Sequence, residues 1–281
     1  MAEFGRVLVT RHPETVSNVE HFFSGRMDVA LTERGRAQAR EAAEAIAAWG
    51  PERIFTSPLS RCRAIADDAA ARLGLEPVVD ERLVEIEFGA IEGIRLDQLA
   101  ARGYRFPWPI EDGRTVPAPG AESFEDLIAR ARSFVDYVAT LPGKTSCITH
   151  GGLSRALFAA VYDEPVDTFW NHMIVNVASA VFVSNGSRLM LQTAGLMPSE
   201  LKARAERGFV PGGDVGSTSL SMGPATQGQE PRIAAPSGPS AGLAGSSEIP
   251  AEPSADPEGP LTGPEGFSAS PVHHSTEDQG A

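Results

Sequence analysis

Apolar positions along this chain recur in two rhythms, one suited to short buried strands and one to helices. Residues 6–11, Arg-Val-Leu-Val-Thr-Arg, are an apolar run closed at both ends by charge, and they predict a buried strand. Thr32 precedes a stretch in which Ala39, Ala42, Ala43 and Ile46 repeat at helical spacing, so it reads as the N-cap of a helix. Residues 53–57 predict a second strand. Ser57-Pro58 has the chemistry of an N-cap and first turn, and Cys62, Ala66, Ala69, Ala70 and Leu73 mark the inner face of the helix it opens. Residues 76–80 predict a third strand. Ser123 caps a long helix running to Thr140, with Phe124, Leu127, Ile128, Ala131, Val135 and Val138 facing inward. Residues 144–150 predict a fourth strand that runs into Gly151-Gly152 and another helix. Residues 179–183 and 188–193 complete the set, and Asn185-Gly186 between them predicts a hairpin.

Strand and helix in this order predict an α/β fold with a mostly parallel central sheet and helices on both faces. Ligands of such folds gather beyond the carboxyl ends of the strands. Two histidines, His12 and His150, stand just past predicted strand ends.

The rhythm stops near residue 210. From there to residue 281 the chain is rich in Gly, Pro, Ser and Ala, with Arg232 as its only Lys or Arg against nine acidic residues. With almost no large side chain to bury, this stretch cannot offset its conformational entropy, and a disordered acidic tail is expected. Residues 1–209 are expected to form the folded domain, which holds whatever chemistry the chain performs. A net charge of −13 argues against nucleic acid and anionic membranes as partners. The first residues lack the basic-then-apolar order of a signal peptide, and no apolar stretch approaches the roughly 20 residues that span a bilayer. Cys62 and Cys147 show no metal-binding or redox spacing, which fits a reducing, cytoplasmic setting.

Four short motifs carry chemistry. They are Thr10-Arg-His-Pro-Glu-Thr-Val-Ser-Asn18, Thr56-Ser-Pro-Leu-Ser-Arg-Cys-Arg63, Leu83-Val-Glu-Ile-Glu-Phe-Gly89 followed by Ala-Ile-Glu-Gly93, and Ile148-Thr-His-Gly-Gly152. In kind and order they resemble the histidine phosphatase superfamily, the phosphoglycerate-mutase-like fold, over roughly residues 6–200. The resemblance implies a three-layer sandwich and a metal-independent phosphomonoesterase without cofactors. Its substrate would be a small phosphorylated metabolite, and a homodimer is compatible with it. It further implies that His12 attacks phosphorus, that Glu85 is general acid and then base, and that His150 is a second imidazole that donates to the transferring phosphoryl group. Arg11 and Arg61 would bind phosphate through forked, permanently charged donors, helped by Asn18, Ser24 and Gly25. The family spacing favours Arg61 over Arg63 and Glu85 over Glu87.

The family has glycine where this chain has Pro13. Proline removes an N–H and holds φ near −65°. If the position only begins a turn, proline holds that turn. If it needs close approach or an unusual backbone angle, His12 is misaimed. Two rival readings use the same residues. One is a phospholigand-binding scaffold, which could dispense with the acid and the nucleophile. The other is a metal site made from His12, His150 and Glu85, which the two arginines would oppose. Within the enzyme reading, phosphoglycerate mutase-type transfer calls for a larger cover than residues 94–122 supply. The aromatic segment 104–109 there reads as a compact lid or specificity loop, so hydrolysis is favoured.

Overall fold

The structure, a computed structural model, describes residues 5–172 and 174–207. The acidic stretch from 210 to 281, expected to be disordered, lies outside the described residues. In chain order the elements are β1 (Arg6–Arg11), α1 (Val16–Glu20), α2 (Glu33–Trp49), β2 (Arg53–Thr56), α3 (Ser60–Leu73), β3 (Val78–Val79), β4 (Ile110–Glu111) and β5 (Arg114–Thr115). They continue as α4 (Phe124–Ala139), β6 (Lys144–Thr149), α5 (Gly151–Tyr162), β7 (Ser179–Ser184), β8 (Leu189–Leu196) and α6 (Pro198–Arg207). The central sheet has the order β3-β2-β6-β1-β7-β8. β1, β2, β3 and β6 run parallel, while β7 and β8 run antiparallel along one side. The mostly parallel sheet of the sequence reading is therefore present, with the predicted hairpin closing one edge.

Alternation along the strands decides the three layers. Val7 and Val9 of β1 enter one core with Phe55, Cys147, Ala180 and Phe182, under α4 and α5. Leu8 points the other way and joins Ile54, Ile148 and Val181 under α2, α3 and α6. Each fully buried Leu, Ile or Phe stabilises the fold by about 1.5–3 kcal/mol, so slipping β1 by one residue would exchange the contents of both cores. Thr32 caps α2 by accepting from Gly35 N at 2.8 Å, and Ser123 caps α4 by accepting from Asp126 N at 3.1 Å. Ser57 does not cap α3, which starts three residues later behind Leu59. Its hydroxyl lies 2.7 Å from His150 Nε2 and also accepts from Leu59 N at 3.4 Å, in a turn that precedes the helix.

Connections out of β1 and β6 leave on opposite faces, to α2 and to α5. Neighbouring strands whose chains diverge leave a crevice at their carboxyl ends, and here it opens above His12 and His150. His12 N donates to Thr149 O at 2.8 Å and Ser57 N to Ile148 O at 3.0 Å, extending the ladder into the motifs. One wall is built from residues 21–26 and 89–96, tied by Gly93 N to Phe23 O and Leu96 N to His21 O, each 2.8 Å. Gly89 has φ +53, and a Cβ there would strike the backbone at residues 119–121, which explains glycine at the end of its motif. Residues 104–109 fold over this wall as an aromatic cluster in which Phe106 meets Phe23 at 4.4 Å and Trp108 at 4.8 Å.

Candidate active site

β1 ends on Arg11, and His12 follows, only 5% exposed. His12 Nδ1 lies 2.7 Å from the carbonyl oxygen of Pro13. A carbonyl can only accept, so Nδ1 carries the proton and Nε2 keeps its lone pair. Position 13 is not among the residues of positive φ. What it supplies is a carbonyl that holds the His12 ring, and proline has one like any other residue. Main-chain strain adjoins this turn. Val177 takes φ +58, a conformation costing about 1–3 kcal/mol, while its N–H reaches Arg11 O at 3.2 Å. Asn176 Nδ2 donates to His12 O at 3.0 Å and to Asn18 Oδ1 at 3.3 Å.

His150 ends the strand beside β1, its ring centroid 5.3 Å from that of His12. Its tautomer is the opposite one. Arg61 Nε, which can only donate, lies 3.1 Å from His150 Nδ1, so His150 Nε2 bears the proton and donates to Ser57 Oγ. Both imidazoles titrate well below the ordinary value. Burial is the main cause, followed by Arg11 and Arg61 for His12, and by Arg61, His12 and Arg11 for His150. Both are neutral at pH 7.

Arg61 is 1% exposed. Its terminal nitrogens donate to Met27 O at 2.8 Å and Gly25 O at 2.7 Å, so three of its five donors are committed. Arg63 pairs with Asp67 at the surface, 2.7 Å away, and only Arg61 of the two enters the crevice. Arg11 donates to Ile174 O, and its own Nε has no partner among the described residues. Glu85 is 8% exposed. Its oxygens accept from Ile86 N at 3.0 Å, Gly152 N at 3.1 Å and Leu153 N at 3.0 Å, which seats the carboxylate on the positive end of α5. Glu87 instead faces outward and pairs with Arg26 at 2.9 Å.

Asn18 Oδ1 accepts from Thr15 N at 3.0 Å and closes the first turn of α1. Ser24 accepts from Ser17 Oγ at 3.2 Å, and Gly25 follows with φ +45. A Cβ on Gly25 would overlap the carboxylate of Glu92, whose Oε1 accepts from Arg26 N at 3.0 Å and Phe88 N at 3.1 Å. The fold thus brings Arg11, His12, Arg61, Glu85 and His150 to one crevice, with Asn18, Ser24 and Gly25 on the adjoining turns.

Three residues escaped the sequence reading. Glu92 and Asn176 hold backbone; Glu92 stands inside the third motif without a role read for it, and no local pattern marks Asn176. Arg155 lies one helical turn beyond Gly151, donates to Gly151 O at 3.0 Å, and sits where its charge acts on both Arg11 and Glu85. Its spacing from His150 was the available signal. Among the described residues, no three His, Cys, Asp or Glu are placed to hold a metal ion. No helix among them is long and apolar enough to cross a membrane.

Neutral imidazoles, fixed guanidiniums and a carboxylate at strand ends define an α/β protein equipped for the chemistry of small oxyanions. The model of the histidine phosphatase superfamily, branch 1, matches residues 7–195. Glucosyl-3-phosphoglycerate phosphatase of Mycobacterium tuberculosis is 36% identical over 173 residues, covering 57% of this chain and 77% of that protein. A protein of Erwinia tasmaniensis named as a probable phosphoglycerate mutase is 29% identical over 165 residues, 58% of this chain and 77% of that one. A solved mycobacterial glucosyl-3-phosphoglycerate phosphatase, in complex with VO3, superposes with a TM-score of 0.61 at 33% identity, covering 68% of this chain and 98% of the other. The chain belongs to the histidine phosphatase superfamily, and its enzyme class is phosphatase.

Proposed function

We propose that this phosphatase hydrolyses a phosphomonoester of a small metabolite through a phosphohistidine on His12. The observation that carries the reading is the bond from His12 Nδ1 to Pro13 O, which leaves Nε2 unprotonated in a basin lined by Arg11 and Arg61. The substrate's phosphoryl oxygens bind Arg11, the uncommitted donors of Arg61, and Asn18, Ser24 and the N–H of Gly25. Nε2 attacks phosphorus as the ester oxygen departs, and Glu85, taking part in its carboxylic acid form, passes its proton to that oxygen and is left as a carboxylate. Water then attacks the phosphohistidine, Glu85 takes its proton, and inorganic phosphate leaves. His150 serves as the second imidazole. Its Nε2–H rests on Ser57 Oγ in the free chain, and turning that bond toward a phosphoryl oxygen is the step its role requires.

Hydrolysis is favoured over mutase-type transfer because the cover between residues 94 and 122 is one small hairpin and single turns packed on Phe106 and Trp108. The deciding test is labelling with a phosphomonoester carrying radioactive phosphate, followed by acid and alkaline quench. An acid-labile, alkali-stable phosphoenzyme is expected in the natural chain and none in His12→Ala. Equal labelling of both would overturn the assignment. Isomerisation of phosphoglycerate outpacing phosphate release would move the reading to a mutase.

A further inference from the structure

Three buried donors near this crevice have no acceptor. Arg11 Nε, Arg155 Nε and Trp170 Nε1 lack any hydrogen-bond partner among the described residues. Leaving a buried donor unpaired costs about 1–3 kcal/mol, so three together mark a surface arranged around something the chain itself does not provide. They are neighbours. A Cβ built on Gly151 would lie 3.3 Å from Arg11 Cζ and 3.4 Å from Arg155 Nη1, so both guanidiniums bracket one glycine. Arg155 Cζ stands 4.7 Å from the centroid of the Trp170 ring. That ring meets Phe106 of the aromatic cover at 4.9 Å.

Charge points the same way. Arg11 and Arg155 both face one carboxylate, Glu85, and Arg61 adds its charge beside Arg11, while the Glu85 oxygens are taken by main-chain amides. Arg130, also close, is already paired with Glu122 at 2.7 Å. A phosphoryl group between Arg11 and Arg61 balances that end and leaves Arg155 with the Gly151 carbonyl as its one hydrogen-bond acceptor among the described residues.

We propose that Arg155, backed by Trp170, is a second anion subsite. It takes a carboxylate or second phosphate carried by the substrate a few bonds from the phosphoryl group that is removed. This rests on the phosphatase reading and narrows its substrate class to compounds with two anionic groups. The guanidinium fork matches either oxyanion, and stacking on the indole fixes its plane. Arg155 is a specificity-determining residue, since the phosphorus chemistry proceeds at His12.

The test separates this proposal from the reading beneath it. His12→Ala protein is titrated calorimetrically with 3-phosphoglycerate, propane-1,3-diol bisphosphate and glycerol 3-phosphate, whose second group is a carboxylate, a phosphate or a neutral alcohol. At least one of the two compounds with a second anionic group is expected to bind about 10- to 100-fold tighter than glycerol 3-phosphate. Whichever holds the preference identifies the anion. Adding Arg155→Gln should shrink that ratio to within about 3-fold, and Arg155→Lys should recover part of it. Trp170→Phe keeps the ring, removes its N–H and should cost about 5-fold in the ratio, which covers the case of a poorly folded Arg155 variant. Equal affinity for all three compounds, or a preference unmoved by these changes, overturns the subsite. Phosphate release from phenyl phosphate by the natural chain judges the phosphatase reading separately. Its failure would leave the binding ratios still able to decide on Arg155.

Discussion

At His12 and His150, single hydrogen bonds from groups of fixed polarity choose between tautomers. A carbonyl at Pro13 makes one ring a lone-pair donor at Nε2, and a guanidinium at Arg61 makes the other a proton donor at Nε2. Exchanging the two would leave the same residues in the same crevice without a nucleophile. Glu85 has its test at this scale too. If it protonates the leaving oxygen, Glu85→Gln should lower kcat for an alkyl phosphate by about 10²- to 10⁴-fold. The loss with 4-nitrophenyl phosphate should be at least about tenfold smaller, because that leaving group departs without a proton. Steady-state kinetics on both substrates decides, and equal losses would assign Glu85 a structural role.

At the scale of elements, the first turn of α5 positions the acid. Gly152 N and Leu153 N hold the Glu85 carboxylate, and a Cβ on Gly152 would approach Glu85 Oε1 to 2.5 Å and Ile86 Cγ2 to 2.9 Å. Gly152→Ala should therefore displace the carboxylate more than it harms the fold. Alanine gains up to about 1 kcal/mol of helix propensity against the clash, so a change in unfolding free energy within about 2 kcal/mol is expected. Misplacement of the acid should cost about 10² in kcat. Urea unfolding alongside turnover checks the pair. A large stability loss with unchanged kcat per folded molecule would refute the coupling.

For the whole molecule, burying two neutral imidazoles between arginines links stability to pH. Their folded values lie well below 6.5, while in the unfolded chain they return to it. Above 6.5 neither state is charged there, and the contribution to stability is complete. As pH falls below 6.5 the unfolded chain binds protons that the folded chain refuses. Stability should drop by about 1.4 kcal/mol per pH unit for each imidazole. Urea midpoints from pH 7.5 to 5 should show this slope, and His12→Asn should halve it. A midpoint independent of pH over that range would contradict the buried, neutral assignment.

Apolar rhythm alone located β1, α2, β2, α4, β6 and the β7–β8 hairpin, because a strand buried on both faces and a one-faced helix each need a recurring apolar pattern. It missed the short α1 and α6 and overextended β3, since few apolar positions mark elements so short or so exposed. The motifs named Arg11, His12, Arg61, Glu85 and His150, and the fold brings these five together in one crevice. Spacing could not show that Glu87 turns outward to Arg26, that Ser57 reaches across to His150, or that the Pro13 carbonyl holds the His12 ring. Nor could it show Arg155 and Trp170 side by side with unpaired donors. Local sequence determines periodicity, caps and the types of reactive side chain, because these depend on neighbours within a turn or two. Tautomers, orphaned donors and the balance of buried charge depend on residues tens or hundreds of positions apart, and only the packed tertiary structure sets those distances.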